Sequence, residues 1–105
     1  MQLSELLEFA KTEHKRLLKF YNIEDSKKLR YPIVLKIMEE LGELSEQVLA
    51  GNSIQRTEKL EDNSSSTKDE IADVLLATLV LAENMGVDVE TALKEKIDKI
   101  KKRNY

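Results

Sequence analysis

Four acidic side chains stand out for their spacing: Glu40 and Glu43 lie three residues apart, and so do Glu70 and Asp73. Residues at i and i+3 of a helix are neighbours on one face, with about 5–6 Å between their Cβ atoms. If two such helices pack antiparallel, the four carboxylates converge on one point. Oxygen donors without histidine or cysteine suit a hard cation such as Mg²⁺ or Mn²⁺, and not zinc. Bundle helices with inward-facing glutamates are an established way to build such a centre. Each feature also has a plainer explanation. Thr67-x-x-Glu70 has the form of a capping box, in which Glu70 bonds the backbone at a helix start. Glu39, Glu40, Glu43 and Glu46 can equally form a solvated face. Asp73 fits neither, because it opens an apolar run, and a buried carboxylate needs a partner or a cation.

The elements that must hold these residues read as helices. Leu3, Leu7, Ala10, Leu17 and Tyr21 give residues 2–21 an apolar stripe, with charged residues on the other face. His14 falls on that stripe as a half-buried packing residue, since no second histidine exists to share a metal. Residues 22–31 form a polar connection. Tyr31-Pro32 starts the second helix, where proline's missing N–H is not needed. This helix runs to about Ala50 and closes at Gly51-Asn52. Ile33, Ile37, Leu41, Leu44 and Val48 fall on one arc and are expected to face a core. Glu39, Glu43 and Glu46 cluster opposite, with Glu40 at the border. Beyond Lys36 the next basic residue is Arg56, so something positive belongs beside the acidic face. Gly42 costs about 1 kcal/mol in mid-helix relative to alanine, which points to a neighbouring helix or a ligand close by.

Residues 52–66 read as a polar loop with a short helical turn near Ile54–Leu60, and a loop of this length is often a functional lid or a disordered segment. A third helix is expected from Thr67 to about Met85. After Asp73 it is apolar nearly all round, as in the centre of a bundle or a subunit interface. Gly86 ends it. Asp88 caps a fourth helix with an apolar stripe of Val89, Leu93, Ile97 and Ile100 and a basic end. The architecture is a single all-α domain over 1–105, a four-helix bundle completed by oligomerisation.

Composition agrees. The 105 residues are 41% hydrophobic and 35% charged, with 3 Gly, 1 Pro and 5% aromatics, which suits one small helical domain. A domain this small buries a modest fraction of its surface, so assembly is expected. The net charge of −3 argues against nucleic-acid binding. The absence of cysteine rules out disulfides and thiolate metal sites. No signal peptide is visible, and the longest apolar run, Val74–Ala82, is far too short to span a bilayer. A cytoplasmic protein is the expectation.

Glu39-Glu40-x-x-Glu43, 26 intervening residues and Glu70-x-x-Asp73 together resemble the signature of the MazG-like, all-α nucleoside triphosphate pyrophosphohydrolases. The flanking segments, Glu-Glu-Leu-Gly-Glu-Leu-Ser-Glu, Asp-Glu-Ile-Ala-Asp-Val-Leu-Leu and Asn-Met-Gly-Val-Asp-Val-Glu-Thr-Ala-Leu, are similar to the family's. So is Lys96 to Arg103, and the likeness covers residues 30–103. It implies that Glu40, Glu43, Glu70 and Asp73 hold Mg²⁺ (or Mn²⁺), and that Glu39 and Glu43 are catalytic, with Glu39 orienting water or assisting a further metal. The implied reaction is NTP + H₂O → NMP + pyrophosphate. A tetra-anionic triphosphate would be repelled by an acidic pocket unless metal ions invert its sign. Lys96, Lys99 and Arg103 are the candidates for the β- and γ-phosphates. Relatives often carry Asn where this chain has Ile100, which loosens that grip. There is no tryptophan of the kind that stacks on bases in some relatives, leaving Tyr31, Phe20 and Tyr21 as substitutes. The resemblance further implies a homodimer or homotetramer acting in nucleotide-pool house-cleaning.

The metal motif does not separate this activity from that of an all-α dUTPase or dCTPase, or of a phosphoribosyl-ATP pyrophosphohydrolase. A different class of alternative is a helical interaction module that has kept the bundle and lost catalysis.

Overall fold

The structure, a computed structural model, describes residues 1–50 and 57–104, and for 57–66 the backbone alone. Helix α1 spans Leu3–Phe20, a 3₁₀ turn Ser26–Leu29, α2 Arg30–Ala50, α3 Thr57–Asn84 and α4 Val89–Lys101. The fold is all-α, with no strand among the described residues.

The helix ends follow from local chemistry. At the end of α1, Asn22 takes a left-handed φ of 54°. Ile23 N–H then reaches the Leu18 carbonyl at 2.8 Å, and Asn22 N–H reaches Lys19 at 3.1 Å. This is a Schellman closure with asparagine in the place glycine usually takes. The same closure ends α3: Gly86 has φ 67°, and Val87 N–H bonds the Ala82 carbonyl at 2.9 Å. Asp88 caps α4, accepting from the Thr91 N–H at 3.2 Å and from its hydroxyl at 2.9 Å. Those two bonds hold its carboxyl below the usual range.

The expected connection at 22–31 is more ordered than a polar loop. Asp25 accepts from Lys27 N–H at 3.1 Å to start the 3₁₀ turn, and that turn places Leu29 fully inside, at 0% exposure. Leu29, Ala10, Ile33 and Val80 form the core, with Leu17, Leu18, Ile23, Ile37, Leu79 and Leu81 packed round it. Asn84, the last residue of α3, ties this end together. Its Oδ1 accepts from Arg30 Nε at 2.9 Å, while Nδ2 donates to the Ser26 carbonyl at 2.8 Å and to His14 Nε2 at 2.9 Å. His14 is therefore half-buried on the stripe as a hydrogen-bonded packing residue.

Helices α2 and α3 run antiparallel. Ile33 shares the core with Val80, and at the far end Thr67 Oγ1 donates to Gln47 Oε1 at 2.9 Å. The buried line of α2 differs from the expected arc. It passes through Ile33, Ile37, Glu40, Leu44, Gln47 and Ala50, whereas Leu41 and Val48 are 49% and 58% exposed. Apolar residues occupy two faces of α2, and the contact with α3 follows the face that contains Glu40.

Helix α3 starts at Thr57, ten residues before the expected Thr67, so 57–66 is helical and not a loop. Of the lid expected over 52–66, the part at 52–56 lies outside the described residues, as does the closure of α2 at Gly51-Asn52. The 28 residues of α3 extend about 42 Å at 1.5 Å each. The helix is not enclosed on all sides in this chain, since Ile71 and Leu75 are exposed. Among the described residues, nothing outside its own helix backbone lies within 4 Å of where a Gly42 Cβ would stand, so no described neighbouring helix explains it. Helix α4 makes at most marginal contact with the other three, and its Leu93, Ile97 and Ile100 face outward.

Candidate metal and nucleotide site

The antiparallel α2–α3 pair brings three of the four expected carboxylates together. Glu40, Glu43 and Glu70 each offer an oxygen within 4.8 Å of the others. Glu40 is 6% exposed, and its place on the contact face of α2 follows from lying seven residues beyond Ile33. Lys36, one turn earlier, reaches its Oε1 at 2.8 Å. That pair serves the border residue Glu40; it is not the further positive group expected beside Glu39, Glu43 and Glu46.

The three carboxylates do not share charge equally. Glu70 is pushed up to about 7, first by hydrogen bonding against Glu40, then by burial and by Glu43. Glu40 is held below the usual range by the same bond to Glu70 and by Lys36. In turn Lys36 is raised, mainly by its hydrogen bond to Glu40. Like charges this close favour one retained proton, and Glu70, raised by its neighbours, is the member whose proton is held most tightly. One Glu70 oxygen, Oε2, is shielded from solvent and has no hydrogen-bond partner among the described residues. A shielded, unpartnered carboxylate oxygen is costly in a finished fold. An all-oxygen donor set with one such atom fits a hard divalent cation.

Thr67 lies in the interior of α3, bonded to Gln47, so the capping-box explanation of Glu70 does not hold. Asp73 is exposed and stands outside the three-carboxylate group. Its expected burial fails because α3 is open on that side. It does line a cavity of about 730 Å³ together with Glu39, Glu40 and Lys36. Lys96 and Lys99 on α4 and Arg103 just beyond its end are exposed and do not line that cavity. Tyr21 is on its wall, whereas Phe20 and Tyr31 are not.

Sequence reasoning missed the part of the wall contributed by α1: Phe9, Glu13, Arg16 and Leu17. Nothing in their spacing separates them from ordinary amphipathic positions. Lys36 was findable, since lysine four residues before glutamate is an ion-pair spacing.

A model of the MazG-like family matches residues 32–104. No curated protein and no solved structure gives a significant match.

Proposed function

The chain belongs to the MazG-like family, and on that premise we propose that it hydrolyses nucleoside triphosphates, or their deoxy forms, to the monophosphate and pyrophosphate with Mg²⁺. The observations that carry this reading are the meeting of Glu40, Glu43 and Glu70 oxygens within 4.8 Å of one another and the unpartnered Glu70 oxygen. These three residues hold the cation, with Asp73 completing the set from the cavity wall. Bound there, a divalent ion offsets triphosphate charge and makes water a better nucleophile.

The chain's own groups do the rest. Glu70 gives up its proton when the site is filled. Glu39, exposed on the same wall, orients water towards the α-phosphorus and accepts its proton. The bond from that phosphorus to the bridging oxygen breaks, and pyrophosphate leaves with the electron pair. Lys36 lies where it can donate to a phosphate oxygen.

Assembly belongs to the same reading. Leu35, Met38, Leu41 and Leu75, together with Leu93 and Ile97 of α4, are all exposed. A homodimer or homotetramer would cover them and let Lys96, Lys99 and Arg103 of one copy approach the phosphates at another. Light scattering that finds a monomer at micromolar concentration would remove this part. The activity is that of a cytoplasmic enzyme clearing the nucleotide pool.

A panel of eight triphosphates with Mg²⁺, assayed for pyrophosphate release, tests the reaction. At least one is expected to turn over, and chelation should stop it. Turnover of none, or release of single phosphate in place of pyrophosphate, would overturn the assignment.

A further inference from the structure

The cavity does not end at its acidic wall. It continues to α1, where Phe9, Leu17 and Tyr21 make an apolar side and Glu13 and Arg16 supply its polar groups. At about 730 Å³ it lies within the range of small-molecule sites. Phe9 is 43% and Tyr21 54% exposed, so both rings keep open surface that a planar ring can cover. The Glu13 side chain is only 20% exposed, and Arg16 holds its Oε1 at 3.2 Å.

We propose that this end of the cavity takes the nucleobase and that Glu13 with Arg16 selects guanine. The assignment rests on the reading that the triphosphate lies at the carboxylate end, which leaves the base for the α1 end. A carboxylate is an acceptor with two oxygens, and a guanidinium only donates. Side by side they require two N–H donors next to one acceptor. Guanine has that order on its Watson–Crick edge: the N2 amino group and N1–H, then O6. Adenine and cytosine place a bare ring nitrogen beside their amino group, which would face the second carboxylate oxygen. Uracil and thymine flank a single N–H with two carbonyls. Only guanine satisfies both oxygens of Glu13 and leaves O6 for Arg16.

Hypoxanthine isolates the claim, because it differs from guanine by the N2 amino group alone. With Mg²⁺, dGTP is expected to have a kcat/KM at least about tenfold above dITP, the order of one charge-assisted hydrogen bond. Glu13→Gln, which keeps the shape but replaces one acceptor oxygen with a donor, should close most of that gap by lowering dGTP more than dITP, which has only its N1–H bond to Glu13 to lose. A fold defect would lower both together, and circular dichroism melting of the variant checks for one. Binding of GMP and IMP to the full chain, followed by calorimetry, gives a second readout that needs no turnover. If no triphosphate is hydrolysed but GMP binds about tenfold more tightly than IMP, and Glu13→Gln erases the difference, the base site stands and the hydrolase reading falls. If triphosphates are hydrolysed but dGTP and dITP behave alike, the guanine assignment is overturned and the hydrolase reading stands. Failure of both nucleotides to bind, with no hydrolysis, overturns both.

Discussion

Two polar clusters sit between the helices, and they are built in opposite ways. At the Asn84 end, Arg30, His14 and the Ser26 carbonyl each meet a complementary atom of one amide, so α1, the 3₁₀ turn, α2 and α3 are tied by bonds with no like charges opposed. At the Glu40–Glu43–Glu70 end, three carboxylates lie together, the Glu70 proton is held more tightly than usual, and one shielded oxygen has no partner among the described residues. A satisfied cluster stabilises a fold, whereas a half-satisfied one is worse than an apolar core. The second cluster therefore points to something that arrives from outside, and the first does not.

The sharpest way to break this contrast is Glu43→Gln. Loss of one preorganised charged group is expected to cut pyrophosphate release by about 10²–10³, with the metal-free melting temperature unchanged or raised because mutual repulsion falls. A clear drop in that temperature would make the carboxylates structural and the contrast false. Asn84→Ala should do the reverse. It strands the partners of a satisfied cluster, so chemical denaturation should show a loss of about 1–3 kcal/mol, with turnover per folded molecule unaffected.

Titration tests the asymmetry inside the acidic cluster. Because Glu70 is raised from 4.5 to about 7 in the fold, its proton stabilises the native state fully below 4.5, and that contribution is lost as pH rises through about 7. Glu40, held low, contributes above its ordinary value and loses that contribution only at more acid pH, outside this window. Thermal melts of the metal-free protein compared with Glu70→Gln should show a pH-dependent decline between those limits that the variant lacks. Mg²⁺ should bind more tightly as pH rises through the same window, with protons released in calorimetry; binding independent of pH there would place the proton elsewhere. The smallest effect is expected at Gly42, where a methyl group meets none of the described residues within 4 Å. Gly42→Ala should stabilise the helix by about 1 kcal/mol without altering turnover. Lost turnover would show that a ligand or a second copy approaches there.

The helices were legible where their ends carry local signals, as at Pro32, Gly86 and Asp88. Leu29 was not, because its burial comes from a four-residue turn that leaves no periodic pattern. The polar run at 57–66 hid the first turns of α3, since serine, asparagine and aspartate weaken a helix without forbidding it. In the candidate site, i,i+3 spacing was enough to nominate the carboxylate pairs. It could not tell that Glu40 turns inward while Asp73 stays open, because that depends on which of two apolar faces α2 gives to α3. The α1 wall was illegible for a related reason: Glu13 and Arg16 become notable only once the cavity exists.

Lys36 has a consequence for how the protein comes into being. Its ammonium is anchored one turn from Glu40 on the same helix, so this anion is compensated as soon as α2 forms, whatever ions are at hand. On the metal-dependent reading proposed above, the bundle would mature in metal-poor surroundings, and a later ion would displace a tethered competitor instead of filling an exposed vacancy.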